Sequence, residues 1–251
     1  MAADGRLPNC RLCGECVAAC PTGARQMVGR EMSVEDVMAE VLKDRLFFEQ
    51  SGGGVTFSGG EPLGQPGFLL RLLEACHAAG LHTAVDTCGV APLEDLLAVA
   101  RHTDLFLYDL KHVDPQKHES CTGQSNESIL ANFEALGRIH GNIWVRVPVI
   151  PGVNDDSTAM VALARVAASV PGVARVSLLP YHKIGTHKGH GPQSDREKEA
   201  REKGTGAFCA KHPEDRPAKM SQSPVREPTT ETLDAAASHF RAEGLCVDIG
   251  G

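Results

Sequence analysis

Between Val55 and Tyr181 short β-prone runs alternate with amphipathic stripes, and each run carries a polar group at or near its end. The runs are Val55-Thr56-Phe57, His82 to Asp86, Asp104 to Asp109, Ile143 to Ile150 and Arg175 to Tyr181. After Pro66, the residues Leu69, Leu72, Leu73 and Cys76 fall on one helical face, and Gly80 closes the element. Further helices are expected from Pro92 to about Arg101, from roughly Asn126 to His140, and from Ser157. Strands separated by helices of this length imply a parallel sheet with right-handed crossovers. Polar groups at the carboxyl ends of parallel strands meet on one rim, where such sheets bind ligands. A chain of 251 residues is long enough for one barrel-like α/β domain or for two smaller units.

The first strand runs into Ser58-Gly59-Gly60-Glu61-Pro62. Paired glycines let the backbone leave a sheet sharply and leave no side chain to block a ligand, while Pro62 stiffens the exit. By itself this is also how an ordinary strand-to-helix turn reads. The following strands end in Asp86-Thr87, in Asp109-Leu110-Lys111, near Arg146 and at His182. Singly, each has a plain alternative: Asp86 or Asp109 as a helix cap, Lys111 as a solvated cation, Arg146 paired with a structural acid, His182 as a turn residue. Together they describe a polar rim.

A second signal lies upstream. Cys10-x-x-Cys13-x-x-Cys16-x-x-x-Cys20-Pro21 has the bacterial ferredoxin spacing, which wraps thiolates around a 4Fe-4S cubane. Zinc sites more often use two separated Cys-x-x-Cys knuckles, and a disulfide cluster needs an oxidising compartment. In two-cluster ferredoxins the fourth cysteine serves the other cluster, and this chain has a single such run, which leaves the assignment of Cys20 open. The other cysteines, Cys76 on its apolar stripe and the scattered Cys88, Cys121, Cys209 and Cys246, form no second run.

Net charge is −7 with no basic stripe, which argues against a nucleic-acid partner. No apolar run is long enough for a membrane span and Met1 to Arg6 has no apolar signal region, so the expected location is cytoplasmic. Ser33 with Asp36 reads as a helix cap before Val34, Val37, Met38, Val41 and Leu42, and Gly52-Gly53-Gly54 ends that element. Residues 188–228 are polar and charged, with too few apolar groups to offset ordering entropy, and are expected to be a mobile insertion. A helix carrying Leu233 and Phe240 and a strand Cys246 to Ile249 are expected after it. The domain reading is therefore 1–30 as a ferredoxin-type segment, 31–187 as a partial barrel, 188–228 as the insertion, and 229–251 as the closing helix and strand.

The ordered set Gly-Gly-Glu-Pro, Asp-Thr-Cys-Gly, Tyr-Asp-Leu-Lys, Arg-x-x-x-Ile-Pro-Gly-x-Asn-Asp and Leu-Leu-Pro-Tyr-His resembles the glycyl-radical-enzyme activating enzymes. These are the pyruvate formate-lyase activating enzyme group of the radical S-adenosylmethionine superfamily. The resemblance covers roughly residues 8–188 and the last twenty or so. It implies an α/β fold, a partial (β/α) barrel that binds S-adenosylmethionine across its strand ends. Gly59, Gly60 and Glu61 would hold the amino-acid end. Asp86, Thr87, Asp109 and Leu110 would lie near the carboxylate with a monovalent cation, and Lys111, Arg146 and His182 would complete the pocket. The Cys10, Cys13, Cys16 and Cys20 run would hold an accessory cluster. The implied reaction is reductive cleavage of S-adenosylmethionine to a 5′-deoxyadenosyl radical. That radical takes a hydrogen from a glycine of a partner glycyl radical enzyme, with flavodoxin or ferredoxin as electron donor.

The sequence departs from this group at one point. The superfamily's Cys-x-x-x-Cys-x-x-Cys does not occur in residues 1–251; after Cys16-x-x-x-Cys20 the third cysteine would have to stand at Gly23. The expectation is an N-terminally truncated activating enzyme that lacks the first barrel strand and half of the ferredoxin unit and is inactive as written. Two alternatives stand beside it: a non-catalytic iron–sulfur and S-adenosylmethionine-binding electron-transfer module, and a radical enzyme acting on a small molecule.

Overall fold

The computed structural model describes residues 13–25, 29–182 and 226–250. Six strands form one parallel sheet: β1 Gly54–Phe57, β2 His82–Thr87, β3 Leu105–Asp109, β4 Ile143–Val149, β5 Val173–Pro180 and β6 Val247–Ile249. Their order in the sheet is their order in the chain. The helices are α1 Glu15–Ala18, α2 Val34–Val41, α3 Arg45–Ser51, α4 Pro66–Ala78, α5 Leu93–Ala100, α6 Pro115–Thr122, α7 Glu127–Gly137, α8 Ser157–Ser169 and α9 Thr230–Ala242.

Alternation along the strands divides the sheet into two unlike faces. Val85, Phe106, Tyr108, Val145, Val147, Val176 and Leu178 are buried against the helices, in one core with Leu73, Leu96, Phe133, Leu163 and Phe240. The other face carries residues in register that are half-buried except for buried Ser177. One row runs Asp86, Leu107, Trp144, Arg175, and the next runs Asp109, Arg146, Ser177, Asp248. A sheet covered on one face and polar on the other is the wall of an open barrel, with its rim at the strand exits.

The expected strands and main helices stand where the sequence puts them. The Ser33 cap forms a reciprocal capping box: the Ser33 hydroxyl accepts from Asp36 N–H, and the Asp36 carboxylate accepts from Ser33 N–H. Helix α8 begins at Ser157 as expected, capped by Asp156, whose carboxylate accepts from Ala159 N–H. Two details differ. Leu42 leaves the apolar face of α2 and is exposed in a short 3₁₀ turn, after which a separate helix, α3, begins. Helix α6 was not expected, because its sequence is polar and has no apolar stripe. Its signals are at the ends: Asp114 caps Lys117 N–H, Pro115 takes the first position, and Gly123 at φ 84° stops it. Cys10 and residues 188–225 of the expected insertion lie outside the described residues.

Candidate active site at the strand exits

β1 leaves the sheet at Ser58-Gly59-Gly60. Gly59 has φ 125°, a conformation that L side chains avoid, and a side chain there would point into open space. Glu61 then turns inward. The residue is 9% exposed, and its carboxylate accepts from Leu63 N–H (3.1 Å), Thr87 Oγ1 (2.6 Å), Cys88 N–H (3.0 Å) and the Cys88 thiol (3.0 Å). Four donors satisfy a buried carboxylate, so Glu61 and Thr87 fasten the Gly-Gly turn to the exit of β2. The Cys88 thiol is pushed up to about 12, first by burial and then by Glu61, which keeps it a neutral donor.

Below this bond network lies Tyr108. It is fully buried, its hydroxyl donates to Ile129 O (2.8 Å), and burial holds it far above the ordinary tyrosine range. Gly89, at φ 76°, lies directly over it: a Cβ there would stand 1.8 Å from the Tyr108 oxygen. The Asp-Thr-Cys-Gly stretch therefore has Thr87 and Cys88 committed to Glu61 and Gly89 committed to Tyr108.

The charged groups of the rim gather on the open face. Arg146 reaches across two strands, with Nη2 at 2.7 Å from Asp86 and 3.0 Å from Asp109, and its Nε donates to Asp109 (3.0 Å). Ser58 donates to Asp86 (3.1 Å), and Lys111 Nζ lies 3.6 Å from Asp109. The four charged side chains are 17–26% exposed, and Ser58 is exposed. Burial raises the Asp86 carboxyl above its ordinary value, Arg146 opposes that rise and Asp109 adds to it. Desolvation thus outweighs the neighbouring guanidinium, as expected when two acids share one cation. Leu110 is a core residue whose N–H gives the last β3-to-β4 backbone bond, to Arg146 O (2.9 Å). His182 is exposed just past β5. The structure thus joins Ser58, Asp86, Asp109, Lys111 and Arg146 in one charge network and assigns Glu61 and Thr87 to its support. Ser58, Cys88 and Asn154 of this rim carry no signal of their own beyond their places inside the Gly-Gly-Glu-Pro, Asp-Thr-Cys-Gly and Gly-x-Asn-Asp stretches.

The cysteine segment is built differently. Cys16 lies in α1, a single helical turn, between exposed Cys13 and half-buried Cys20. The Cys20 thiol is lowered to about 7, chiefly by its hydrogen bond to Thr22 and then by the Arg25 backbone. Soft thiols close together in sequence suit iron, yet among the described residues no group of three ligand side chains converges on a metal position.

An α/β sheet with this polar rim and a Gly-Gly turn defines a class, and the description "Radical SAM superfamily" matches residues 9–164: the chain belongs to that superfamily. Within it, the chain is 46% identical over 167 residues to the trans-4-hydroxy-L-proline dehydratase activating enzyme of Clostridioides difficile, covering 66% of this chain and 55% of that one. It is 42% identical over 177 residues to the isethionate sulfite-lyase activating enzyme of Desulfovibrio desulfuricans (strain ATCC 27774 / DSM 6949 / MB), covering 70% and 56%. The crystal structure of a domain of pyruvate-formate lyase-activating enzyme from Bacteroides vulgatus ATCC 8482 superposes with a TM-score of 0.60 at 30% identity, covering 79% of this chain and 99% of that one. The chain spans about half the length of the curated relatives it matches. Among the described residues no helix is long and apolar enough to cross a membrane.

Proposed function

We propose that this chain is the S-adenosylmethionine-binding core of a glycyl-radical-enzyme activating enzyme, acting in the cytoplasm on a partner glycyl radical enzyme with a flavodoxin or ferredoxin as electron donor. The observation that carries this reading is the Asp86–Arg146–Asp109–Lys111 network beside an open Gly59. An amino-acid zwitterion needs both signs of charge within a few ångströms and backbone it can approach closely, and this rim offers both.

Gly59 and Gly60 would receive the amino-acid end of S-adenosylmethionine, with Glu61 fixing their position from beneath. Asp86, with the main chain at Thr87 and Leu110, and Asp109 would take a monovalent cation against the ligand carboxylate. Lys111, Arg146 and His182 would close the pocket, and Arg146 must loosen its hold on at least one carboxylate as the ligand enters. Cys10, Cys13, Cys16 and Cys20 would hold a 4Fe-4S cluster. That cluster would be an accessory relay; the cluster on the superfamily's Cys-x-x-x-Cys-x-x-Cys would supply one-electron reduction of the sulfonium to methionine and a 5′-deoxyadenosyl radical, which takes a glycine α-hydrogen.

One observation favours a second reading for residues 1–251 taken alone. They contain no Cys-x-x-x-Cys-x-x-Cys, so an electron-transfer and binding module without turnover is the form expected of this chain by itself. Anaerobic calorimetry and chromatography separate the readings. Residues 1–251 are expected to bind S-adenosylmethionine, to lose that affinity by about 10-fold or more in Asp109→Asn, and to form no 5′-deoxyadenosine with dithionite. Equal affinity in the variant overturns the pocket, and sustained 5′-deoxyadenosine production overturns the binding-module reading.

A further inference from the structure

Three buried asparagines stand behind the rim, and each spends its side-chain NH₂ on two main-chain carbonyls of strand-exit loops. Asn132 of α7 donates to Gly89 O (2.8 Å) and Ala91 O (2.9 Å), beyond β2. Asn126, at the N-cap position of α7, donates to His112 O (2.6 Å) and Val113 O (2.8 Å), beyond β3. Asn154, in the turn after β4, donates to Lys111 O (2.9 Å) and Pro148 O (2.7 Å), and its Oδ1 accepts from Ile150 N–H (2.8 Å). Exposure is 1% at Asn126 and Asn154 and 4% at Asn132.

Asn154 differs from the other two because it joins two strand exits. The β3–β4 ladder ends with Leu110 N–H on Arg146 O. One step further along both strands there is no backbone bond to make, since Pro148 has no N–H. Lys111 O and Pro148 O, two acceptors that would otherwise repel, are bridged by one carboxamide. The bridge extends the ladder past its natural end, just beyond the paired Asp109 and Arg146.

We propose that Asn154 is a positioning residue of the ligand pocket: it sets the separation of the β3 and β4 exits and, with it, the spacing of the Lys111 ammonium from the Arg146 guanidinium. The inference rests on the reading of the rim as an S-adenosylmethionine pocket. Asn154 spends both side-chain hydrogens on main-chain carbonyls, not on the pocket charges. Misplacement of a binding group by about 1 Å can cost two orders of magnitude in function, so removal of the bridge acts through Lys111.

The test uses the full chain with Asn154→Asp, Asn154→Ala and Asn154→Ser. Asn154→Asp keeps the shape and directs a carboxylate at two carbonyls, Asn154→Ala removes the bridge, and Asn154→Ser returns one donor. S-adenosylmethionine affinity, measured well below each melting temperature, is expected to fall about 10-fold or more in Asn154→Asp, several-fold in Asn154→Ala, and to recover in part in Asn154→Ser. Amide exchange over residues 110–113 should quicken in the same order. A role confined to stability would lower the melting temperatures and leave the affinity of the folded protein within twofold, and that result overturns the proposal. If the unaltered chain binds no S-adenosylmethionine, the pocket reading fails, and the exchange rates alone judge the bridge: unchanged rates overturn it. Should Asn154→Asp not fold, the Ala and Ser pair carries the same comparison.

Discussion

The cysteine segment and the strand-exit rim are built by opposite means. Cys13 and Cys16 are exposed on and beside one helical turn, and among the described residues the segment contributes nothing to the core. At the rim, Glu61, Thr87, Cys88, Tyr108 and Asn154 are buried and bonded to one another or to the main chain. An array specified by spacing leaves its geometry to the ligand, whereas an array specified by packing is formed before any ligand arrives. The two regions should therefore fail differently when altered.

The largest expected effect is all-or-none and belongs to the cysteine segment. Cys13→Ala should abolish loading of a cubane cluster after anaerobic reconstitution, while the metal-free protein melts within about 1 °C of the unaltered chain, as exposed positions usually do. Iron and sulfide analysis with a melting curve reads both; unchanged iron content, or a large stability loss, breaks the contrast.

Next comes the rim's packing. Gly89→Ala places a Cβ against the Tyr108 oxygen at a positive φ, so strain and overpacking act together and should cost about 3 kcal/mol or more in urea unfolding. A loss below 1 kcal/mol would mean that the exit of β2 is pliable. Glu61→Gln is a smaller change of the same kind. One acceptor oxygen becomes an NH₂ among donors, and about 1–3 kcal/mol should be lost.

The smallest effect is in pH. Burial lowers the His112 and His118 imidazoles below their ordinary value of 6.5. Below that value the unfolded chain binds protons that the folded one refuses. Stability is therefore full above pH 6.5 and declines as pH falls toward the folded values. His112→Asn should flatten part of that slope in melting curves taken through this range, and an unaltered slope would remove His112 from the account.

Much of this contrast can be read from the chain before folding. The cysteine run stands out by its spacing alone, and the strands are legible because β-prone runs and polar exits recur. Residues such as Asp86, Asp109, Lys111 and Arg146 announce themselves as charges at strand ends. What stays hidden is the direction each side chain takes. Glu61 looks like a ligand-facing acid, yet its four bonds run inward, and Arg146 gives no sign that it spans two strands to reach Asp86. Asn154 is invisible for a further reason: its partners are carbonyl groups, which every residue possesses, so no pattern of residue types marks them. Helix α6 escapes notice because end signals, not an apolar stripe, define it.

The order of the strands also bears on how the molecule is made. From β1 to β5 each new strand pairs with the one before it, so the sheet can grow at its edge as the chain leaves the ribosome. β6 breaks that rhythm, since it docks beside β5 only after residues 181–246 have been added. At roughly 5–20 residues per second, that stretch takes seconds to synthesise. During that interval β5 has an unpaired edge and α8 lacks the cover of α9, whose Leu233, Ala236, Ala237 and Phe240 complete the core. Biogenesis, rather than the finished fold, is then the stage at which this chain is most exposed to misassembly.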